Sequence, residues 1–254
     1  MVVIFMVKVK MDEMSWVEVK EALDNGFDTV IVPVGSIEQH GPHLPLGTDT
    51  FIGEALSVMI AEKLGKTLVT PPITPGCSQH HMGFPGTLTL KPETLMQVVR
   101  DVCKCLIRHG FKNIILLPTH GGNFAPIETL IMELAMEHKD VKIISPLKLE
   151  ELIKVMNDVM AEYGVTFKEA GVHAGAAETS AMLHINGGLV KMDRAVEGFT
   201  GEYTISQLYS YGVKAISNTG VLGDPRKASA DAGRKMMEKL AEYYAEKIKK
   251  ELKF

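Results

Sequence analysis

Four short apolar runs constrain this chain more than any other feature: "TVIVPVG" at 29–35, "TLVTPPI" at 67–73, "NIILLPTH" at 113–120 and "VKIISP" at 141–146. Continuous apolar runs of this length suit strands buried on both faces of a parallel sheet. Parallel neighbours need crossover connections, and the intervening segments supply them with helical periodicity. Residues 92–109 place Leu95, Val98, Val99, Val102 and Leu106 on one stripe, with Pro92 near the start and Gly110 just past the end. Residues 124–137, 148–163 and 232–251 read as helices in the same way. The last carries Met237, Leu240, Tyr244 and Ile248 on one face, and its many Lys and Glu residues read as a solvated face. The expected fold is α/β, with a mainly parallel sheet flanked by helices.

At 254 residues, without a linker-like composition shift or an internal repeat, residues 1–254 are expected to form a single domain. The net charge of −4 is mixed along the chain and leaves no basic stripe to neutralise phosphates, so nucleic acid is not an expected partner. The opening "MVVIFMVKVKMDEM" lacks a basic leading region and is too short to cross a bilayer. It reads as an N-terminal strand or extension, and no membrane association is expected. Cys77, Cys103 and Cys105 are too few and too irregularly spaced for a disulfide framework or a structural zinc site, which fits a reducing cytoplasm. Cys103 and Cys105, two apart in a helix, point to different faces and read as packing residues.

Ligands of open parallel sheets bind beyond the carboxyl ends of the strands. Two polar clusters fall there: "GSIEQHGPHLPLGTDT" at 35–50 and "PTHGGNFAP" from 118. In an extended segment Glu38 and His40 face the same way, while Gln39 points elsewhere. Gly41, Pro42, Pro45 and Gly47 then turn the chain, so that Asp49 returns toward them. Carboxylates with an imidazole suit Zn²⁺, Mn²⁺ or Fe²⁺, and a carboxylate such as Asp49 can bridge two ions. His120 ends a strand before two glycines, and Asn123 reads as a helix N-cap. A third cluster, "GVHAGAAETSAML", sets His173 and Glu178 five apart. Each cluster taken singly also has a structural reading: a polar loop, a capped turn, or a buried hydrogen-bonded His with a surface Glu.

Taken in order, "VPVGSIEQHGPHLPLGTDT", "GCSQHHMGFPGTLTL", "LPTHGGN", "HAGAAETSAML" and "TGVLGDPRKAS" resemble the creatininase family of amidohydrolases over roughly residues 30–230. That resemblance implies a three-layer α/β/α sandwich with a two-metal centre that hydrolyses a C–N amide bond. It implies Glu38, His40, Asp49 and His120 as metal ligands, Asp49 bridging, with Glu178 completing the set and acting in catalysis. It implies His173 as the proton carrier beside the substrate. Ser78, His81 and Asn123 are expected to bind substrate, His80 having an equal claim on spacing, and His43 is expected to orient a ligand. The cofactors implied are two divalent ions per chain, Zn, Mn or Fe(II). The partners implied are a small-molecule amide and further copies of the chain, a hexamer by resemblance.

Two departures bear on substrate. Creatinine-hydrolysing members carry a glutamate ligand where this chain has Gly122, and they close tryptophans over the substrate, whereas the one tryptophan here is Trp16. The expected activity is therefore a metal-dependent amidohydrolase of a cyclic amide or formamide. Creatinine amidohydrolase, a deformylase of a formamidopyrimidine ribonucleotide and a peptide-processing enzyme are alternatives within the family. Lys191, Arg194 and Arg226 are available to an anionic substrate. A non-catalytic binding protein on the same fold is the alternative from another class. A nucleotide-dependent oxidoreductase is disfavoured, because no G-x-G-x-x-G run occurs.

Overall fold

The computed structural model describes residues 8–146 and 148–253. The opening residues 1–7 of the expected N-terminal strand lie outside them. At their edge Val9 accepts a hydrogen bond from the Val69 amide (2.8 Å), and Lys10 bridges Val69 in parallel.

The apolar runs become four parallel strands, β1 (Thr29–Val34), β2 (Thr67–Val69), β3 (Asn113–Pro118) and β4 (Lys142–Ile144), in the order β2-β1-β3-β4. Side chains along each strand alternate between two cores. Ile31, Val69, Ile115 and Leu117 enter one, while Val30, Val32, Leu68, Ile114, Leu116 and Ile143 enter the other.

Helices cover both faces, so the fold is a three-layer α/β/α sandwich with an all-parallel sheet. The first core is closed by α2 (Thr48–Leu64), α5 (Leu149–Glu162), α6 (Phe167–Ala170), α7 (Ala176–Asn186) and α10 (Ala230–Leu252). The second is closed by α1 (Trp16–Asp24), α3 (Pro92–His109) and α4 (Phe124–Glu137). The bounds of α3 and α4 are those expected from their periodicity. Cys103 is buried in the second core, whereas Cys105, expected to pack as well, is exposed. No helix among the described residues is long and apolar enough to cross a membrane.

Two elements depart from expectation. The glycines and prolines of 35–50 read as a run that cannot be helical, yet α2 begins at Thr48 and takes Asp49 into its first turn. An acidic residue there is favoured by the amide dipoles of the helix start, and Gly and Pro residues confine the irregular backbone to 35–47. The region 190–224, rich in Gly, Ser, Thr and Tyr and so read from sequence as the least regular part of the chain, contains α8 (Ile205–Tyr211) and α9 (Val213–Ile216). Thr204 caps α8 by accepting from the Gln207 amide, and Gln207 bonds back to Thr204.

The connections from β1 and β3 leave in opposite directions, β1 to β2 through α2 on one face and β3 to β4 through α4 on the other. The carboxyl ends of these two adjacent strands therefore form a topological switch point, where the loops part and leave a crevice.

Candidate metal centre

Both strands at the switch point deliver ligand-type residues into that crevice. After β1 the chain is pinned in an irregular course. The Glu38 amide donates to Leu46 O (2.9 Å), the Leu88 amide to Ile37 O (2.9 Å) and the Gln39 amide to Thr87 Oγ1 (3.1 Å). The start of α2 is tied to both strands, since Thr50 Oγ1 donates to Ser36 O and Thr119 Oγ1 to Asp49 O, each at 2.8 Å. Glu38, His40, Asp49, His120 and His173 all converge in buried positions.

The distances sort the cluster into two halves. His40 Nε2 lies 3.3 Å from Asp49 Oδ1 and 3.7 Å from Glu178 Oε2. His120 Nδ1 lies 3.1 Å from Glu38 Oε2 and 3.2 Å from Asp49 Oδ2. The two oxygens of Asp49 thus face different histidines.

Each histidine directs one ring nitrogen inward, because its other nitrogen is held by a backbone carbonyl. His40 Nδ1–H donates to Glu38 O (3.1 Å), His120 Nε2–H to Cys77 O (3.1 Å) and His173 Nε2–H to Gln39 O (2.8 Å). A carbonyl on one ring nitrogen fixes the tautomer and readies the other to ligate.

The fit to a cation can be tested on the cluster itself. Among the described residues, Glu38 Oε1, His40 Nε2 and Asp49 Oδ2 are buried side-chain atoms without a hydrogen-bond partner. Such groups are costly unless something else satisfies them. Glu38, His40 and Asp49 bring ligand atoms within 4.8 Å of one another, and so do His40, His173 and Glu178. Three carboxylates with imidazoles are a donor set for Mn²⁺ or Zn²⁺. The residues fit the metal.

Without cations, protons on histidine balance the carboxylates. Burial opposes charge on His40, but Asp49, Glu178 and Glu38 raise it to about 10, and Glu38 and Asp49 likewise hold His120 well above its ordinary value. Burial would raise Glu38 and Asp49; the facing histidines hold both low instead. Burial dominates at Glu178, raising it to about 7. Burial and the His40 charge lower His173 to about 3, so it is neutral.

The remaining expected residues divide. His81 lines the crevice with Nε2 3.3 Å from Glu38 Oε1, and His80 lines it as well, stacked on His120 with ring centroids 5.6 Å apart. Ser78 and Asn123, expected to touch substrate, do not line it. Ser78 is spent on Ser36 (2.5 Å) and His120 (3.3 Å). Asn123 starts α4 by position but makes no capping bond. Its amide accepts from Cys77 N (2.9 Å) and donates to Val34 O (3.1 Å) and Gly35 O (2.9 Å), clamping the loops that follow β1 and β2 against the start of α4. His43 meets Thr179 Oγ1 (2.9 Å), beside Glu178, and bonds no ligand-type residue directly.

Gln39, expected to point elsewhere, is a buried hub. Its Oε1 accepts from Gly41 N (3.0 Å) and its Nε2 donates to Gly220 O (3.2 Å), which fixes the amide orientation. Its second amide hydrogen then meets the acceptor His81 Nδ1 (2.9 Å), leaving the proton of His81 on Nε2, toward Glu38. The only signal of this in the sequence was its place between two ligand-type residues.

Above the cluster lies a cavity of about 650 Å³. Glu38, Asp49, His81, His120, His173 and Glu178 form its floor, and α5, α8 and the chain around Tyr203 form its walls.

A buried carboxylate and imidazole cluster under an open cavity, at the switch point of a parallel sheet, defines a metal-dependent hydrolase. The family model described as creatininase, creatinine amidohydrolase, matches residues 12–248, and the chain belongs to that family. It is 32% identical over 228 residues to the mycofactocin precursor peptide peptidase of Mycolicibacterium smegmatis (strain ATCC 700084 / mc(2)155), covering 87% of this chain and 84% of the relative. A solved manganese form of creatininase superposes with a TM-score of 0.83 at 27% identity. A zinc–zinc form of a creatininase variant does so with a TM-score of 0.81 at 28% identity, each covering 96% of this chain and 98% of its own. The chain is thus a metal-dependent amidohydrolase of the creatininase family, with a metal site of the manganese or zinc type.

Proposed function

We propose that the chain hydrolyses a C–N amide bond at a dinuclear centre in which Glu38, Asp49 and His120 hold one divalent cation and His40, Asp49 and Glu178 the other. The observation that carries this reading is the split of Asp49, whose two oxygens face His120 and His40 separately. When bound, such cations supply a hydroxide near neutral pH and polarise the amide carbonyl.

The chain's own groups handle the protons. His173 accepts a proton at Nδ1, the nitrogen left free by the bond to Gln39 O, and delivers it to the leaving nitrogen, which departs poorly unless protonated. His81, whose Nε2–H faces Glu38 on the cavity floor, would orient that carboxylate beside the substrate. Glu178, raised to about 7 by burial in the metal-free chain, would give up its proton when a cation binds.

Two features weigh against creatinine as the substrate. No tryptophan is among the described lining residues, and Gly122 offers no carboxylate. A precursor peptide, as in the name of the mycobacterial relative, is the better supported alternative. We also read residues 1–254 as one catalytic unit, supported by a single sheet that receives elements from Thr29 to Leu252. We further propose a homo-oligomer working in a reducing compartment, supported by Met132 and Met136 standing open on α4 and by free thiols.

Metal content of the purified chain tests the centre. About two ions per chain are expected, falling in Glu38→Gln and in His120→Ala together with amide hydrolysis. A wild type that binds no divalent ion under any loading condition would sink the reading.

A further inference from the structure

The floor of the cavity addresses the reacting amide, and the walls describe what else the substrate carries. One wall is a face of α5 with Leu152, Ile153 and Met156, and across from it stand Tyr203, Ile205 and Tyr209. Ile205 and Tyr209 are 56% and 50% exposed although they border a cavity continuous with the buried cluster. Large apolar side chains left open beside a polar floor mark a surface that a ligand covers. Tyr209 is also held in place, edge-on to His80 with ring centroids 5.1 Å apart, so this wall is anchored to the floor.

Charge points the same way. Apart from the floor and its histidines, the charged groups among the described lining residues are Lys168 and Glu202, one of each sign. Lys191 and Arg194 do not line the cavity. Arg226 does not either; its guanidinium is engaged by Asp224 (2.7 and 2.8 Å) and Glu197 (2.7 Å). A phosphate ester would bring about two negative charges into a space where one lysine is offset by a glutamate. A volume of about 650 Å³ belongs to ligands well above the size of a small cyclic amide, which would leave both walls uncovered.

We propose, resting on the amidohydrolase reading, that the substrate is a short hydrophobic peptide. Its scissile amide lies on the metal cluster, an apolar or aromatic side chain lies between α5 and the 203–209 segment, and it carries no phosphate. Hydrolysis breaks the C–N bond, places the hydroxyl of water on the acyl carbon and a proton on the leaving nitrogen, and needs no other reactant.

The test uses the full chain loaded with manganese or zinc. Its substrates are short peptides with Gly, Leu or Phe on either side of one amide, creatinine, and a formamido nucleotide monophosphate. Burying an apolar side chain should raise kcat/KM by roughly ten- to a hundredfold from Gly to Phe on one side of the bond. Calorimetric binding of the corresponding cleavage products should follow the same order. Met156→Asp and Ile205→Ser should each shrink that preference to about threefold or less in both measurements, as the apolar contact is replaced by a polar one. Equal rates for Gly and Phe, or faster turnover of creatinine or the phosphorylated substrate than of every peptide, overturns the proposal and leaves the amidohydrolase reading standing. Failure to hydrolyse any amide with two ions bound overturns both.

Discussion

Gly122 shows how one residue can close off a ligand arrangement. A Cβ there would lie 2.1 Å from Cys77 O and 2.7 Å from His120 Nε2, on the carbonyl that holds the His120 tautomer. No side chain fits without moving backbone, so the glutamate of creatinine-hydrolysing relatives cannot simply be restored. Gly122→Ala should therefore cost about 1–3 kcal/mol in denaturant unfolding and lower metal content by displacing His120. Gly121→Ala, whose nearest neighbour is Leu149 Cδ2 at 3.8 Å, should leave both measurements near wild type. Equal behaviour of the two variants would refute the steric argument. At this scale the sequence showed which residues are ligand-type, since Glu38, His40, Asp49 and His120 follow strand ends. It did not show that Asn123 would be spent on backbone partners or that Gln39 would wire two histidines together. Those roles depend on Val34, Cys77, His81 and His173 arriving from distant parts of the chain.

Among the elements, α7 and α10 are the pair on which Glu178 depends. Gly233 brings them close: a Cβ would stand 1.9 Å from Ser180 O, two residues beyond Glu178 on α7. Ser229 caps α10 through the Ala232 amide and is itself tied to α7, its own amide donating to Ser180 Oγ (3.1 Å). Gly233→Ala should push the helices apart, destabilise by about 1–3 kcal/mol and reduce activity through Glu178. Ser229→Ala should cost only about 1 kcal/mol as a lost cap. Thermal unfolding and turnover of the two variants compare a displaced helix with a frayed one, and equal losses of activity would count against the packing argument. Amphipathic stripes made α3, α4, α5 and α10 legible in the sequence. The helix α2 was not: Phe51, Ile52, Leu56, Val58, Met59 and Ile60 put apolar side chains all round it, so no stripe marks it, and glycines and prolines just before it signal a loop. Short capped helices such as α8 are too brief for periodicity to register.

Seen whole, the molecule draws Glu38, Asp49, His120 and Glu178 together from three distant stretches, and without cations it balances them with protonated histidines. His40 contributes its full stabilisation below the unfolded imidazole value of about 6.5, and loses it as pH rises through about 10. The metal-stripped protein should accordingly lose thermal stability as pH rises from about 6.5 to 10, whereas the loaded protein, in which cations replace those protons, should change far less. Melting curves across that range before and after chelation check the sign, and a stripped protein that gains stability with pH would contradict the charge balance. The separation of the cavity's floor from its walls has a consequence for descent. On the proposed reading, bond-breaking rests on 38–49, 120 and 173–178, and choice of substrate on 149–156 and 201–213. Mutations in the walls would then alter which substrate is taken while leaving the floor in place, so a chain built on this plan can acquire a new substrate without reinventing the reaction.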